Sequence, residues 1–253
     1  MSAKADPVSF TRTELLIAVI ARLLRGSRHI AVGAASPIPG AAALLARALS
    51  NNAMQVSVIN SPRHNSFSDG GVELFDLAAQ GRIDAFFLGG GQIDGQGNVN
   101  LVGTGIYPNV DVRWPGSFGS AYLYFLVPRV ILFREEHTRR VMVPKVDFIS
   151  APGTSEPGVY RPGGPVALVT NLAQFAFDRT RRCFRLESVH PGHSIEEVLD
   201  NTGFTFDRVD AVRTTPAPDA EVLKLQRDHV FAEIAELYPR FATTLASEAA
   251  SPS

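Results

Sequence analysis

Three stretches of this chain hold residues whose types could do chemistry: 33–40, 60–70 and 89–97, each rich in Gly, Ser, Asn or Pro. That composition is expected where a backbone must come close to a ligand. The run Gly89-Gly90-Gly91 offers amides that could hold a carbonyl oxyanion or a phosphate. Alternatively, it is a tight corner between a strand and a hairpin. His64, after Pro62-Arg63, is either an acid/base group or a solvated loop histidine. Arg113 and Trp114, ahead of Pro115-Gly116, either clasp a flat anionic ligand or anchor an interface. Glu135-Glu136 beside His137, Arg139 and Arg140 reads as a charged surface turn. His190 and His193 have H-x-x-H spacing, but Pro191-Gly192 between them predicts a turn and not a helical metal pair. The nucleophile elbow G-x-S-x-G, the phosphate loop G-x-x-x-x-G-K-S/T, G-x-G-x-x-G and H-E-x-x-H are all absent.

The elements that must position these stretches follow from periodicity. Apolar residues at Leu15, Leu16, Val19, Ile20, Leu23 and Leu24 have helical spacing, with Thr13 as the expected cap. Strands are expected over 29–33, 55–59 and 83–88, with helices over 41–49 and 73–79 between them and Pro37-Ile38-Pro39-Gly40 as a breaker. Apolar strands alternating with helices predict parallel βαβ units. The fold class expected is α/β, an open, largely parallel sheet with helices on both faces. After Gly89 come a hairpin over 92–100 and β-branched runs over 130–133, 141–143, 166–170 and 184–189. Ser194-Ile195-Glu196-Glu197 has the form of a capping box. One long C-terminal helix is expected within about 219–240, and residues 243–253 are expected to fray. No internal repeat or long linker divides the 253 residues, so one domain is expected over 1–253.

Composition narrows the function classes. Hydrophobic residues make up 45% and charged residues 19%, which suits a folded chain and excludes the disordered regime. Net charge is -1, which gives no basic footprint for nucleic acid. The single cysteine, Cys183, excludes an intramolecular disulfide framework and a cysteine metal cluster within one chain. The opening residues lack the form of a signal peptide, and the apolar run over 15–21 is too short to span a bilayer. A cytoplasmic location without membrane attachment is therefore expected.

Four blocks carry a resemblance. They are Gly89-Gly90-Gly91-Gln92-Ile93-Asp94-Gly95-Gln96-Gly97-Asn98-Val99-Asn100, Pro115-Gly116-Ser117-Phe118-Gly119, Val146-Asp147-Phe148-Ile149-Ser150-Ala151-Pro152-Gly153, and His190-Pro191-Gly192-His193-Ser194-Ile195-Glu196-Glu197-Val198 followed by Asn201-Thr202-Gly203-Phe204. In order and spacing they resemble the β subunits of class I CoA-transferases of the glutaconate type, over about residues 30–206. The resemblance implies a CoA-transferase-like (NagB/RpiA-like) fold. It also implies a homologous α subunit, paired as a heterodimer and often doubled to an α2β2 heterotetramer. No metal or prosthetic group is implied, and CoA arrives as part of an acyl-CoA substrate.

One departure changes the expected chemistry. Transferring members of the family carry a β-chain glutamate at the end of the second strand, which attacks the acyl-CoA and forms an anhydride and then a thioester. Here that place reads Val58-Ile59-Asn60-Ser61-Pro62, and Asn60 is an amide with no nucleophilic carboxylate. Asp69 is the next carboxylate along the chain. The loss resembles the β subunit of the actinobacterial steroid ring-cleaving CoA-thioester hydrolase (Ipd type), in which the α subunit supplies the essential glutamate. That resemblance implies water addition to a cyclic β-keto acyl-CoA and retro-Claisen C–C cleavage. Gly90 and Gly91 would then offer oxyanion donors, Asn60, Ser61 and Arg63 would line the pocket, and His64 would hold a substrate carboxylate or assist protonation. Ser117 would approach the CoA or the α chain, and Gln92 and Asp94 would be structural. The alternatives are a transferase β subunit with displaced chemistry, a scaffold that completes the α-subunit cleft, or an acyl-CoA hydrolase active as a single chain.

Overall fold

The computed structural model describes residues 9–250. Helix α1 (Arg12–Leu23) begins at Thr11, not Thr13, because a capping box needs an acid three residues on. The Thr11 hydroxyl accepts from the Glu14 N–H, and the Glu14 carboxylate accepts from the Thr11 N–H. Strand β1 (His29–Val32) leads into α2 (Pro37–Leu49). The expected breaker is the first turn of that helix, where the missing N–H of proline removes no intrahelical bond. Next come β2 (Gln55–Val58), α3 (Gly70–Ala79) and β3 (Ala85–Leu88). A hairpin of β4 (Gln92–Ile93) and β5 (Val99–Asn100) follows, then a second of β6 (Gly103–Ile106) and β7 (Asn109–Arg113). Helix α4 (Ser120–Leu126) precedes β8 (Arg129–Phe133), β9 (Pro165–Val169), β10 (Ala173–Asp178) and β11 (Cys183–Val189). After α5 (Ile195–Asn201) and β12 (Asp207–Thr214) the chain closes with α6 (Ala220–Leu225), a π-helical turn over Gln226–Val230, α7 (Phe231–Ile234) and α8 (Pro239–Ala250).

Three further expectations need correction. The run 141–143 is not a strand and contributes a single bridge, Met142 to Ile93. The single C-terminal helix is α6, the π turn and α7, with α8 as a separate helix beyond it. The tail expected to fray is helical to Ala250 because Ala242 and Leu245 are buried against the body. Residues 251–253, and the leader reading of residues 1–8, lie outside the described residues.

Eight strands form one sheet in the order β12-β11-β10-β9-β8-β3-β1-β2. Only β10 runs against the rest, being antiparallel to both β9 and β11. Alternation along the central strands feeds two cores. Ile30, Val32, Ala85, Phe87 and Ile131 face the layer of α1, α2 and the C-terminal helices. Ala31, Phe86, Leu88, Val130 and Leu132 face the layer holding Leu74 of α3, Leu123 of α4 and the β4–β5 hairpin. Helices thus cover both faces of a mostly parallel sheet. Strand order reverses between β1 and β3, and open parallel sheets bind ligands beyond the carboxyl ends of their strands at such a point.

Candidate active site

A cavity of about 640 Å³ opens at that reversal. Its walls are the loop after β1 (Ala35 to Pro39), the ends of β3 and β8, Arg12 and Asn171. The carboxyl end of β2 lies alongside, since the Ile59 N–H donates to the Val32 carbonyl at 3.0 Å. Asn60 caps this end with φ +70°, a left-handed conformation that asparagine tolerates better than most residues.

The turn after Asn60 is held from two directions. The Ser61 hydroxyl donates to the Glu236 carboxylate and accepts the His64 N–H at 2.8 Å. Glu236 also lies 3.6 Å from the Arg63 guanidinium and takes the Arg63 N–H. Arg47 of α2 donates to His64 Nδ1 at 3.2 Å and pairs with Glu233 at 2.9 Å. His64 Nε2 is buried without a hydrogen-bond partner among the described residues. Burial, and then the Arg47 charge, hold its pKa below the usual histidine value. Ser61, Arg63 and His64 therefore come together, but against the C-terminal segment and outside the large cavity. Sequence reading missed Glu233 and Glu236, whose only signal was their spacing of three on a helical stretch.

Gly90 and Gly91 sit apart from that group. The Gly91 N–H already donates to the Asn100 carbonyl at 2.9 Å, which corrects its assignment as an oxyanion donor. A Cβ at Gly91 would stand 2.2 Å from the Trp114 ring, and one at Gly90 would stand 2.5 Å from Val99. The tight-corner reading thus accounts for both glycines. Ser117 gives its carbonyl to the Ser120 N–H at 2.8 Å at the start of α4, beside the 92%-exposed Phe118.

Two of the family-like blocks, 89–100 and 146–153, are knitted to each other. Asp94 accepts from the N–H groups of Gln96 and Asn98 and from the Asn98 amide, which closes the Gly95–Gly97 turn. Gln92 accepts from Asn100 and the Asp147 N–H, and donates to the Asp147 carboxylate. Asn98 accepts the Gly153 N–H. In the histidine block, His190 bonds Thr215 and the Thr170 carbonyl, while His193 turns outward to Glu197 at 2.9 Å. The H-x-x-H spacing is a turn, as expected. His137, expected in a surface turn, is instead buried between the Thr170 and Thr202 hydroxyls. Among the described residues no three acidic, histidine or cysteine side chains converge as a metal site, and no helix is long and apolar enough to cross a membrane.

Comparison with known proteins agrees with this frame. The profile of the family described as Coenzyme A transferase matches residues 10–201. The chain is 35% identical over 162 residues to one subunit of the 3-oxoadipate CoA-transferase of Pseudomonas knackmussii, covering 61% of this chain and 62% of that one. It is 28% identical to one subunit of the glutaconate CoA-transferase of Acidaminococcus fermentans, over 89% of this chain and 94% of the relative. It is 31% identical to the cholesterol ring-cleaving hydrolase IpdB subunit of Rhodococcus jostii, over 62% of each chain. The matches thus span less than two thirds of the first and third relatives. Among solved structures, Rhodococcus jostii RHA1 IpdAB superposes with a TM-score of 0.76 at 26% identity, covering 87% of this chain and 94% of that one. The decarboxylase AibA/AibB gives 0.75 at 26% identity, covering 93% and 98%. The chain belongs to the coenzyme A transferase family.

Proposed function

We propose that this chain is the β subunit of a heteromeric hydrolase that opens the last steroid ring of a cyclic β-keto acyl-CoA. The single observation that carries the reading is Asn60, held with φ +70° at the tip of β2, where the family's transferases present a glutamate. An amide there cannot form an acyl anhydride. The likeness to the cholesterol ring-cleaving hydrolase IpdB subunit supports the same direction. A homologous α subunit supplies the essential glutamate as base and completes the assembly as an α2β2 tetramer. That base takes a proton from water, and the hydroxide adds to the ring ketone. The bond between that carbon and the α-carbon then breaks, leaving a carboxylic acid and an enolate thioester that takes up a proton. Asn60 is exposed beside the cavity and not on its wall, where it offers a neutral hydrogen-bonding group to a partner-completed site, and the turn from Ser61 to His64 fixes its position.

One observation favours a second reading, a transferase with a displaced nucleophile: Glu236 reaches Ser61, the neighbour of Asn60. Co-expression with a homologous α chain, then parallel assays of ring opening and of CoA exchange between acids, separates the two. Ring opening without exchange is expected. Exchange without ring opening, with a hydroxylamine-trapped adduct on Glu236, would establish the transferase. Ring opening that Asn60→Ala leaves unchanged would assign this chain a scaffold role only.

A further inference from the structure

Strand β2 is an edge of the sheet, and the loop after it folds back alongside: the Val58 N–H donates to the His64 carbonyl at 2.7 Å. Two residues further on, Ser66 heads a chain of polar side chains that runs inward from the surface. Gln55 Nε2 donates to the Ser66 hydroxyl at 3.0 Å, the Ser66 and Ser57 hydroxyls lie 2.5 Å apart, and Ser57 lies 2.8 Å from His29 Nε2. Ser66 is exposed, whereas Ser57 and His29 are buried, with the Phe67 ring 6.0 Å from the imidazole. None of the four polar residues lines the 640 Å³ cavity, and the proposed function uses none of them.

Donor arithmetic fixes the direction of each bond. The Arg82 carbonyl accepts a hydrogen bond from the His29 ring, and since Nε2 meets Ser57 that donor is Nδ1. Burial, as the largest cause, holds the His29 pKa below its ordinary value, so the ring is neutral at physiological pH and Nε2 is an acceptor. Ser57 gives Nε2 its only hydroxyl hydrogen, and must then accept from Ser66, which in turn accepts from Gln55. The exposed Ser66 hydroxyl therefore hands its proton inward towards a base and keeps a lone pair free. Satisfying His29 requires Ser57 alone. The extension to Ser66 connects the base to the surface.

A neighbour supplies the contrast. Ser68 is also exposed, but its hydroxyl donates to the Glu73 carboxylate at 2.8 Å. The bonds from the Ser68 hydroxyl and N–H hold that carboxylate below its usual range. A carboxylate is a weaker proton acceptor than an imidazole by about two pK units even at its ordinary value. The two serines thus differ in base and share exposure.

We propose that Ser66 is a nucleophile and a covalent modification site, taking an acyl group from an activated ester or thioester, with His29 as the base and Ser57 as the relay. In the step, Ser66 Oγ bonds to the acyl carbon while its proton passes to Ser57 and the Ser57 proton passes to His29 Nε2. The bond from the acyl carbon to the leaving group breaks, the leaving group departs with that electron pair, and His29 gives its proton to solvent. The Arg82 carbonyl and the Asp84 charge support the imidazolium. With one amide donor, Gln55, beside Ser66, the expected outcome is a single acylation and not turnover. The proposal does not depend on the ring-opening reading.

The test incubates the full chain with p-nitrophenyl acetate and follows acetylation of each serine by peptide mass spectrometry. Ser66 is expected to label at least about ten times faster than Ser68, because a positioned base contributes about 10²-fold or more. His29→Gln and Ser57→Ala should each lower Ser66 labelling to the Ser68 rate and leave Ser68 labelling unchanged. An unchanged melting temperature shows that a variant is folded, and Ser57→Ala, which removes one buried hydroxyl, decides alone if His29→Gln does not fold. Equal labelling of Ser66 and Ser68 in wild type, or fast Ser66 labelling that survives Ser57→Ala, would overturn the proposal.

Discussion

His64 accepts a hydrogen bond at Nδ1 from the Arg47 guanidinium at 3.2 Å, which fixes the imidazole proton on Nε2. Burial and the Arg47 charge both oppose a second proton. The ring should therefore stay neutral at physiological pH and titrate below the ordinary histidine value of about 6.5. Arg47→Gln should raise its midpoint towards that value. Nitrogen-detected NMR of the histidines reads both effects. A midpoint above that of an unstructured peptide in wild type would contradict the packing described.

Two other histidines should make the protein sensitive to acid. Burial depresses His137 and His190 to about 4 each, against 6.5 in an unfolded chain. Between those values the unfolded chain binds protons that the folded one refuses, so stability falls as pH drops from 6.5 towards 4 and levels off below. The slope approaches about 1.4 kcal/mol per pH unit for each histidine. Urea unfolding at pH 7.0, 5.5 and 4.5 should show this trend, and His190→Gln, if folded, should reduce the slope by about half.

Asn60 occupies left-handed backbone space, so the residue that replaces it must tolerate that conformation. Asn60→Gly should leave stability nearly unchanged, whereas Asn60→Ala and Asn60→Glu should each cost about 1 kcal/mol in chemical denaturation. Any assay of the restored glutamate must be read against that loss. Equal stability of the Gly and Ala variants would show that the turn relaxes when asparagine is removed.

Gly91 and Trp114 should behave as a coupled pair. A methyl group at Gly91 would meet three indole carbons at 2.2 to 2.5 Å, so Gly91→Ala should destabilise by about 1–3 kcal/mol. Adding Trp114→Leu should recover part of that loss, a double-mutant coupling readable by thermal unfolding. Strict additivity of the two changes would mean that the ring does not lie over the glycine.

Much of the sheet was legible because its strands are continuous apolar runs: 29–33, 55–59 and 83–88 appear as β1, β2 and β3 with ends shifted by two residues or fewer. Strand β12 was not, since Asp207–Thr214 is an exposed edge whose charged residues hide any apolar alternation. The C-terminal break was hidden for another reason. A π turn at Gln226–Val230 keeps helical composition while shifting the apolar face, and no glycine or proline marks it. Two of the four motif blocks, 89–100 and 146–153, are hydrogen-bond partners of each other, as Gln92 with Asp147 shows. The bracing of the turn after Asn60 stayed hidden because Arg47 and Glu236 reach His64, Ser61 and Arg63 through tertiary packing, which local periodicity does not encode.

The brace of the β2 turn bears on how the chain matures at the ribosome. Arg47 meets Glu233 across 186 residues, and Ser36 meets Tyr238 across 202. A nascent chain can build its first βαβ unit early, but these partners emerge only near the end of translation. A chain stopped just short of residue 233 would therefore carry all eight strands of the sheet and all four motif blocks, yet leave the Asn60 turn without its clasp.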